Sequence, residues 1–149
     1  LFEASARLAA VLAGSNALVE AACATYGQAL GTAFQIIDDV LDYDGDAAEM
    51  GKNLGDDLRE GKATLPLIAA MQRGTESEAS TVRKAIENGS TEQLDTIAHI
   101  VRTTGALEVA RNAAAAEAQR AIDALQQLPA NQYTAALHQL AAQLLARRT

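Results

Sequence analysis

From Asn16 to Asp42 the chain repeats its apolar residues at helical spacing without a break, and the run ends in three carboxylates, Asp38, Asp39 and Asp42. A long apolar helix that finishes in acid constrains the fold more than any other feature. Asp38 and Asp42 stand at i and i+4 on one helical face, where like charges repel by roughly 0.2–0.5 kcal/mol. Negative charge at a helix C-terminus also opposes the macrodipole. Both terms are unfavourable, and Phe34, Ile36, Ile37, Val40 and Leu41 surround the acids with apolar side chains. Carboxylates placed on a largely buried backbone need a partner. A divalent cation reverses both signs, and magnesium takes hard oxygen ligands of this kind, completed by water and phosphate.

The acid is concentrated rather than general. Residues 38–60 hold nine carboxylates against Lys52 and Arg59, which is the whole net charge of −7, while the rest of the 149-residue chain balances ten basic against ten acidic residues. For Asp44 to Glu49 a solvated helix end or loop is sufficient explanation. A calcium loop starting at Asp42 fails, because its sixth position is Ala47 where glycine is required and its twelfth is Asn53 where glutamate is required.

The string Gly31-Thr32-Ala33-Phe34-Gln35-Ile36-Ile37-Asp38-Asp39-Val40-Leu41-Asp42, followed by Gly51-Lys52, Asp57 and Gly61-Lys62-Ala63-Thr64-Leu65-Pro66, resembles the second aspartate-rich region of trans-isoprenyl (polyprenyl) diphosphate synthases, the long-chain members above all. A bare DDxxD is weak; the phenylalanine-glutamine pair before it and the two glycine-lysine pairs after it make the combination specific. The resemblance runs over essentially the whole chain. It implies an all-α fold, the C-terminal half of the isoprenoid synthase helical bundle, and residues 1–149 as one helical domain portion of a longer prenyltransferase. The first aspartate motif, the basic residues that hold isopentenyl diphosphate and a lysine-threonine pair are absent from the sequence, so the piece alone is expected to be inactive in chain elongation.

The resemblance also implies roles. Asp38 ligates Mg2+ and is catalytic with Lys52; Asp39 and Asp42 support the metal directly or through water; Lys52 and Lys62 contact or face the diphosphate; Gln35 and Phe34 lie beside the allylic substrate. The implied partners are an allylic diphosphate and isopentenyl diphosphate, together with a second copy in a homodimer or the missing N-terminal half. Such chemistry needs fixed cations where the leaving diphosphate gathers charge and a dry apolar cavity for the carbocation; Phe34, Ile37 and Leu41 are candidate walls. Two alternatives stay open: a class I terpenoid cyclase, which shares the ionisation step, and a non-catalytic helical subunit or partner-binding fragment.

Composition excludes several other classes. Aromatic residues are only 3% of the chain, which with abundant alanine favours closely packed helices over sheets. Glu20, Gln28 and Gln35 interrupt the longest apolar run before the roughly 18 residues a membrane span needs. A net charge of −7 without a basic patch repels nucleic acid. Cys23 is the one cysteine, so no internal disulfide forms and a reducing cytoplasm is the natural setting. His99 and His138 have no companions at ligand spacing and read as packing or surface residues.

Six or seven helices are expected: Phe2 to about Ala13; a long second helix to about Tyr43; one restarted by Thr64-Leu65-Pro66 and ending near Arg73; Thr75 to Asn88; one opened by a Ser90/Gln93 capping box and ending near Thr103; Ala106 to Leu128, stopped by Pro129; and one from Asn131 to about Arg148. Residues 45–61 form a long polar segment, expected to be a flexible flap over bound diphosphate.

Overall fold

The computed structural model describes residues 1–44 and 55–146, and among these every regular element is helical. The helices are α1 (Phe2–Leu12), α2 (Ala17–Asp44), α3 (Asp56–Arg59), α4 (Leu65–Arg73), α5 (Glu76–Asn88), α6 (Leu94–Thr103), α7 (Ala106–Ala124) and α8 (Gln132–Leu145), with a 3-10 turn at Leu125–Gln127. The short α3 falls inside the expected loop 45–61; residues 45–54, which include Gly51 and Lys52, lie outside the described residues.

The described residues divide into two compact units, one of residues 1–35 and 113–146, the other of residues 36–44 and 55–112. In the first, Tyr26, Ala29, Leu30 and Ala33 of α2 pack with Ala118 and Ala121 of α7 and with Ala141 and Leu144 of α8. Alanine dominates because small side chains let helix axes approach closely, so the core is built from proximity instead of bulk. The Tyr26 hydroxyl donates to the Leu137 carbonyl at 3.0 Å, which satisfies the polar end of a nearly buried ring. Gly27 and Gly31, one turn apart on α2, receive the start of α1: a Cβ on Gly27 would stand 2.5 Å from the Phe2 carbonyl oxygen, and one on Gly31 2.8 Å from Phe2 Cβ.

The second unit has the bulkier core. Val40 and Tyr43 of α2, Leu58 of α3, Leu67 of α4, Val82 of α5 and Ile97 of α6 are all essentially inaccessible to solvent. Proline at the second position of α4 lacks a donor that the first turn does not use. Thr75 opens α5 with a reciprocal capping box. Its hydroxyl accepts from the Glu78 N–H at 3.3 Å, and its N–H donates back to Glu78 Oε2 at 2.7 Å. Those bonds from the Thr75 backbone and side chain hold the Glu78 carboxyl below its ordinary pKa.

One expected cap is not formed. Ser90 does not open α6, which begins at Leu94 with Gln93 as an N-cap lacking a side-chain hydrogen bond. Instead the Ser90 N–H donates to the Ala85 carbonyl and the Gly89 N–H to the Ile86 carbonyl. Ser90 is therefore consumed in closing the preceding helix, a 6→1 arrangement that competes for the same residue. The capping box that does form ahead of the last helix is Asn131 with Thr134.

Candidate active site at the end of the long helix

The last turns of α2 carry Asp38, Asp39, Asp42 and Asp44, and no basic residue lies in the final turn. Asp39 is almost buried at 8% exposure, whereas Asp38 and Asp42 are partly exposed, in keeping with their shared face. Val40, Leu41 and Tyr43 on the flanking positions are buried, so the helix end is fixed by its apolar neighbours and the acids are carried along with it. Phe34 and Gln35, in the first unit's portion of α2, are exposed. Ile37 and Leu41, offered as cavity walls, are buried at 5% and 7% exposure.

Asp42 is the most perturbed of these acids. Burial first, and then the charge of Asp57, push its carboxyl up to about pKa 6, against partial relief from the backbone N–H groups of Asp57 and Asp56. Those two amides belong to the first turn of α3, whose free N–H groups favour negative charge. The other carboxylate oxygen, Oδ2, is buried with no hydrogen-bond partner. Left-handed Gly55 (φ 80°) precedes α3, and a Cβ there would lie 2.6 Å from Leu94 Cδ1, so the turn that presents the amides requires glycine.

Two hydroxyls are buried as well, and one of them, on Tyr43, feels the charge of the acids. The Tyr43 and Thr64 hydroxyls are both buried and neither makes a hydrogen bond of standard geometry. Burial, followed by the negative charge of Asp42 and Asp57, drives the Tyr43 phenol well above its ordinary pKa, so it stays protonated. A neutral phenol adds no further negative charge to the acids around it.

Lys62 is exposed and its ammonium pairs with Asp57 Oδ1 at 2.9 Å and Glu60 Oε2 at 2.7 Å. These contacts raise its pKa, so it is fully cationic. The charge expected near the diphosphate is thus present, and it is engaged by two acids of the α3 segment. Lys52 lies outside the described residues. The three remaining sequence candidates for chemistry are quiet: His99 and His138 are exposed, and burial pushes the Cys23 thiol up, away from an activated thiolate.

Among the described residues, no group of three or more His, Cys, Asp or Glu side chains converges closely enough to enclose a metal ion by itself. The donor set nevertheless suits magnesium. Hard carboxylate oxygens are its preferred ligands, one or two protein carboxylates are its usual complement, and Asp42 Oδ2 is a buried oxygen in want of a positive partner.

Sequence reasoning missed the part played by arginine. Arg102 Nη2 donates to the Tyr43 carbonyl at 3.0 Å, and Arg111 pairs with Asp44, so the basic charge that α2 lacks in its own last turn comes from α6 and α7. No local spacing signal could reveal this, since the partners are 59 and 67 residues apart.

An all-helical scaffold whose longest helix ends in a partly buried DDxxD run, backed by glycine-lysine pairs, defines the class of trans-prenyl diphosphate synthases. The polyprenyl synthetase family profile matches residues 1–104, and the chain belongs to that family. It is 46% identical over 142 residues to octaprenyl diphosphate synthase of Haemophilus influenzae and 47% identical to that of Escherichia coli, covering 95% of this chain in each case and 43% and 44% of those proteins. A polyprenyl synthase from Caulobacter crescentus CB15, solved in complex with calcium and isoprenyl diphosphate, superposes with a TM-score of 0.89 at 41% identity over 99% of this chain and 46% of that one. A decaprenyl diphosphate synthase from Rhodobacter capsulatus gives 0.88 at 37% identity, with the same coverage. The chain thus spans less than half the length of these relatives. Among the described residues, no helix is long and apolar enough to cross a membrane.

Proposed function

We propose that this chain supplies one wall of a prenyltransferase site, in which an allylic diphosphate is ionised and condensed with isopentenyl diphosphate. The observation that carries the reading is the end of α2: carboxylates held on a buried helix terminus, one of them with a buried oxygen that has no partner. Asp38 and Asp42, on one face, are the residues that would hold Mg2+, with Asp39 supporting them from its buried position. When bound, the ion supplies positive charge to the departing diphosphate.

The chain's own residues do the rest. The amides of Asp56 and Asp57 steady Asp42 through their partial positive charge. Lys62 offers an exposed ammonium that can exchange its carboxylate partners for a diphosphate, and Lys52 is proposed to make the same kind of contact. Phe34 and Gln35 are proposed to face the allylic chain, Phe34 with an apolar ring that excludes water from a cationic intermediate. The Caulobacter protein's complex with a divalent cation and isoprenyl diphosphate supports the assignment of substrate class.

The site is two-sided in this reading, and the second wall corresponds to the part of the matched relatives that lies outside the 43–46% of their length this chain covers. We therefore infer that the piece alone does not elongate and that it works with an N-terminal half; a homodimer and a cytoplasmic setting are proposed alongside. Incubating the purified chain with allylic diphosphate, isopentenyl diphosphate and magnesium is expected to give no elongated product. Measurable turnover overturns the two-walled site. A non-reactive allylic thiodiphosphate is expected to bind in a magnesium-dependent way that Asp38→Ala abolishes, and binding that survives the substitution favours a non-catalytic helical subunit.

A further inference from the structure

The long helix ends badly by its own chemistry. Its last carbonyls lack intrahelical donors, it has no basic residue in its final turn, and four aspartates crowd the negative end of its dipole. The remedy comes from elsewhere in the second unit. Arg102, in the last turn of α6, sends Nη2 to the Tyr43 carbonyl oxygen at 3.0 Å in a partly buried contact. The same arginine and Asp42 line one cleft of about 280 Å3, together with Leu94, Asp95, Ala98 and His99.

The choice of acceptor is informative. Arg102 lies within the cleft that Asp42 borders, yet its hydrogen bond goes to the main chain, and Asp42 Oδ2 keeps no partner. An ion pair with Asp42 would have neutralised the carboxylate and competed with a cation for it. Bonded to the carbonyl of the next residue, the guanidinium instead fixes the backbone from which Asp42 projects and offsets the dipole locally. The carrier of Arg102 is itself restrained, because Arg73 Nε donates to the Thr104 carbonyl at 2.7 Å, at the end of α6. The ends of α2 and α6 are thus each met by an arginine from another helix, and the pair leads from α4 through α6 to the aspartates.

We propose that Arg102 is a positioning residue of the prenyltransferase site: by capping α2 at Tyr43 it sets the direction of Asp42 and leaves that carboxylate open to a cation. The role rests on the reading of the aspartates given above. Its function is separable from simple helix capping, because a cap contributes to stability whether or not a cation is present, whereas a positioning residue changes how well the cation is held.

The test is calorimetric titration of the chain with inorganic pyrophosphate at a series of magnesium concentrations, with urea unfolding in parallel. Arg102→Gln is expected to raise the magnesium concentration for half-maximal pyrophosphate binding by about tenfold, the scale on which residues that orient a metal's ligands act. Arg102→Lys, which keeps a cationic donor, is expected to recover most of that loss and also serves if the glutamine variant does not fold. In an Asp42→Asn background the same Arg102 substitutions are expected to change binding by less than about twofold, since their effect passes through Asp42. Unchanged magnesium dependence in both variants, or a loss that persists undiminished beside Asp42→Asn, overturns the positioning role while leaving the site intact. No magnesium-dependent binding by the unsubstituted chain overturns the reading of the site itself, and the role of Arg102 with it.

Discussion

Replacing Asp42 by asparagine tests whether this carboxylate is kept for function at a cost to the fold. Its pKa of about 6 in the folded chain, against an ordinary 3.8, is a difference of about two units, or about 3 kcal/mol at 1.36 kcal/mol per unit. The side chain is only partly buried, and solvent screening reduces the figure to about 1 kcal/mol. The sign follows from proton binding. Between the two pKa values the folded state holds a proton that the unfolded state has released, so stability falls as pH rises from about 4 to about 6, and the penalty is complete above that. Asparagine cannot ionise and can still accept from the Asp56 and Asp57 amides. Urea unfolding at pH 7.5 without metal is therefore expected to show Asp42→Asn more stable than the parent by about 1 kcal/mol, and at pH 4 the gain is expected to vanish. Magnesium with pyrophosphate should then stabilise the parent more than the variant. A variant that is less stable at pH 7.5, or whose gain is the same at both pH values, would refute the assignment of Asp42 as a strained, unpaired acid.

Two further substitutions probe the elements that hold the site. Thr75→Ala removes the hydroxyl half of the α5 capping box, leaves the backbone N–H to Glu78 bond in place, and is expected to cost about 1 kcal/mol in chemical denaturation; the loss of the hydroxyl's hydrogen bond to Glu78 should also return its carboxyl part of the way toward its ordinary pKa, visible by NMR titration. Gly55→Ala forces a Cβ into Leu94 at a left-handed residue and is expected to destabilise by about 1–3 kcal/mol, with the amides of α3 displaced from Asp42. Wild-type stability in that variant would show that the turn is not strained.

The helices were legible because their signals are local. Apolar spacing located α2 to within a residue or two, proline marked the start of α4, and Asn131 marked the start of α8. The aspartates were legible for the same reason, since their conflict with the helix dipole is written in consecutive residues. Ser90 misled because two helix ends competed for it, and its N–H closes α5; the Thr75-x-x-Glu78 signature fifteen residues earlier was the real capping box and passed unread. The short α3 was hidden by its polarity, for Leu58 alone among its four residues is buried. Arginine caps could not be found at all, because Arg102 meets Tyr43 only after the chain has folded back over 59 residues. The burial of the Tyr43 and Thr64 hydroxyls is likewise a product of packing, invisible in spacing.

The central claim is that the acids ending α2 are gathered to hold a divalent cation against a diphosphate. Titration with Mn2+ in the presence of inorganic pyrophosphate, followed by electron paramagnetic resonance, addresses it directly. Bound Mn2+ should form with the parent chain, be displaced by Mg2+, and be lost in Asp38→Ala. Equal binding by parent and variant, or none by either, would contradict it.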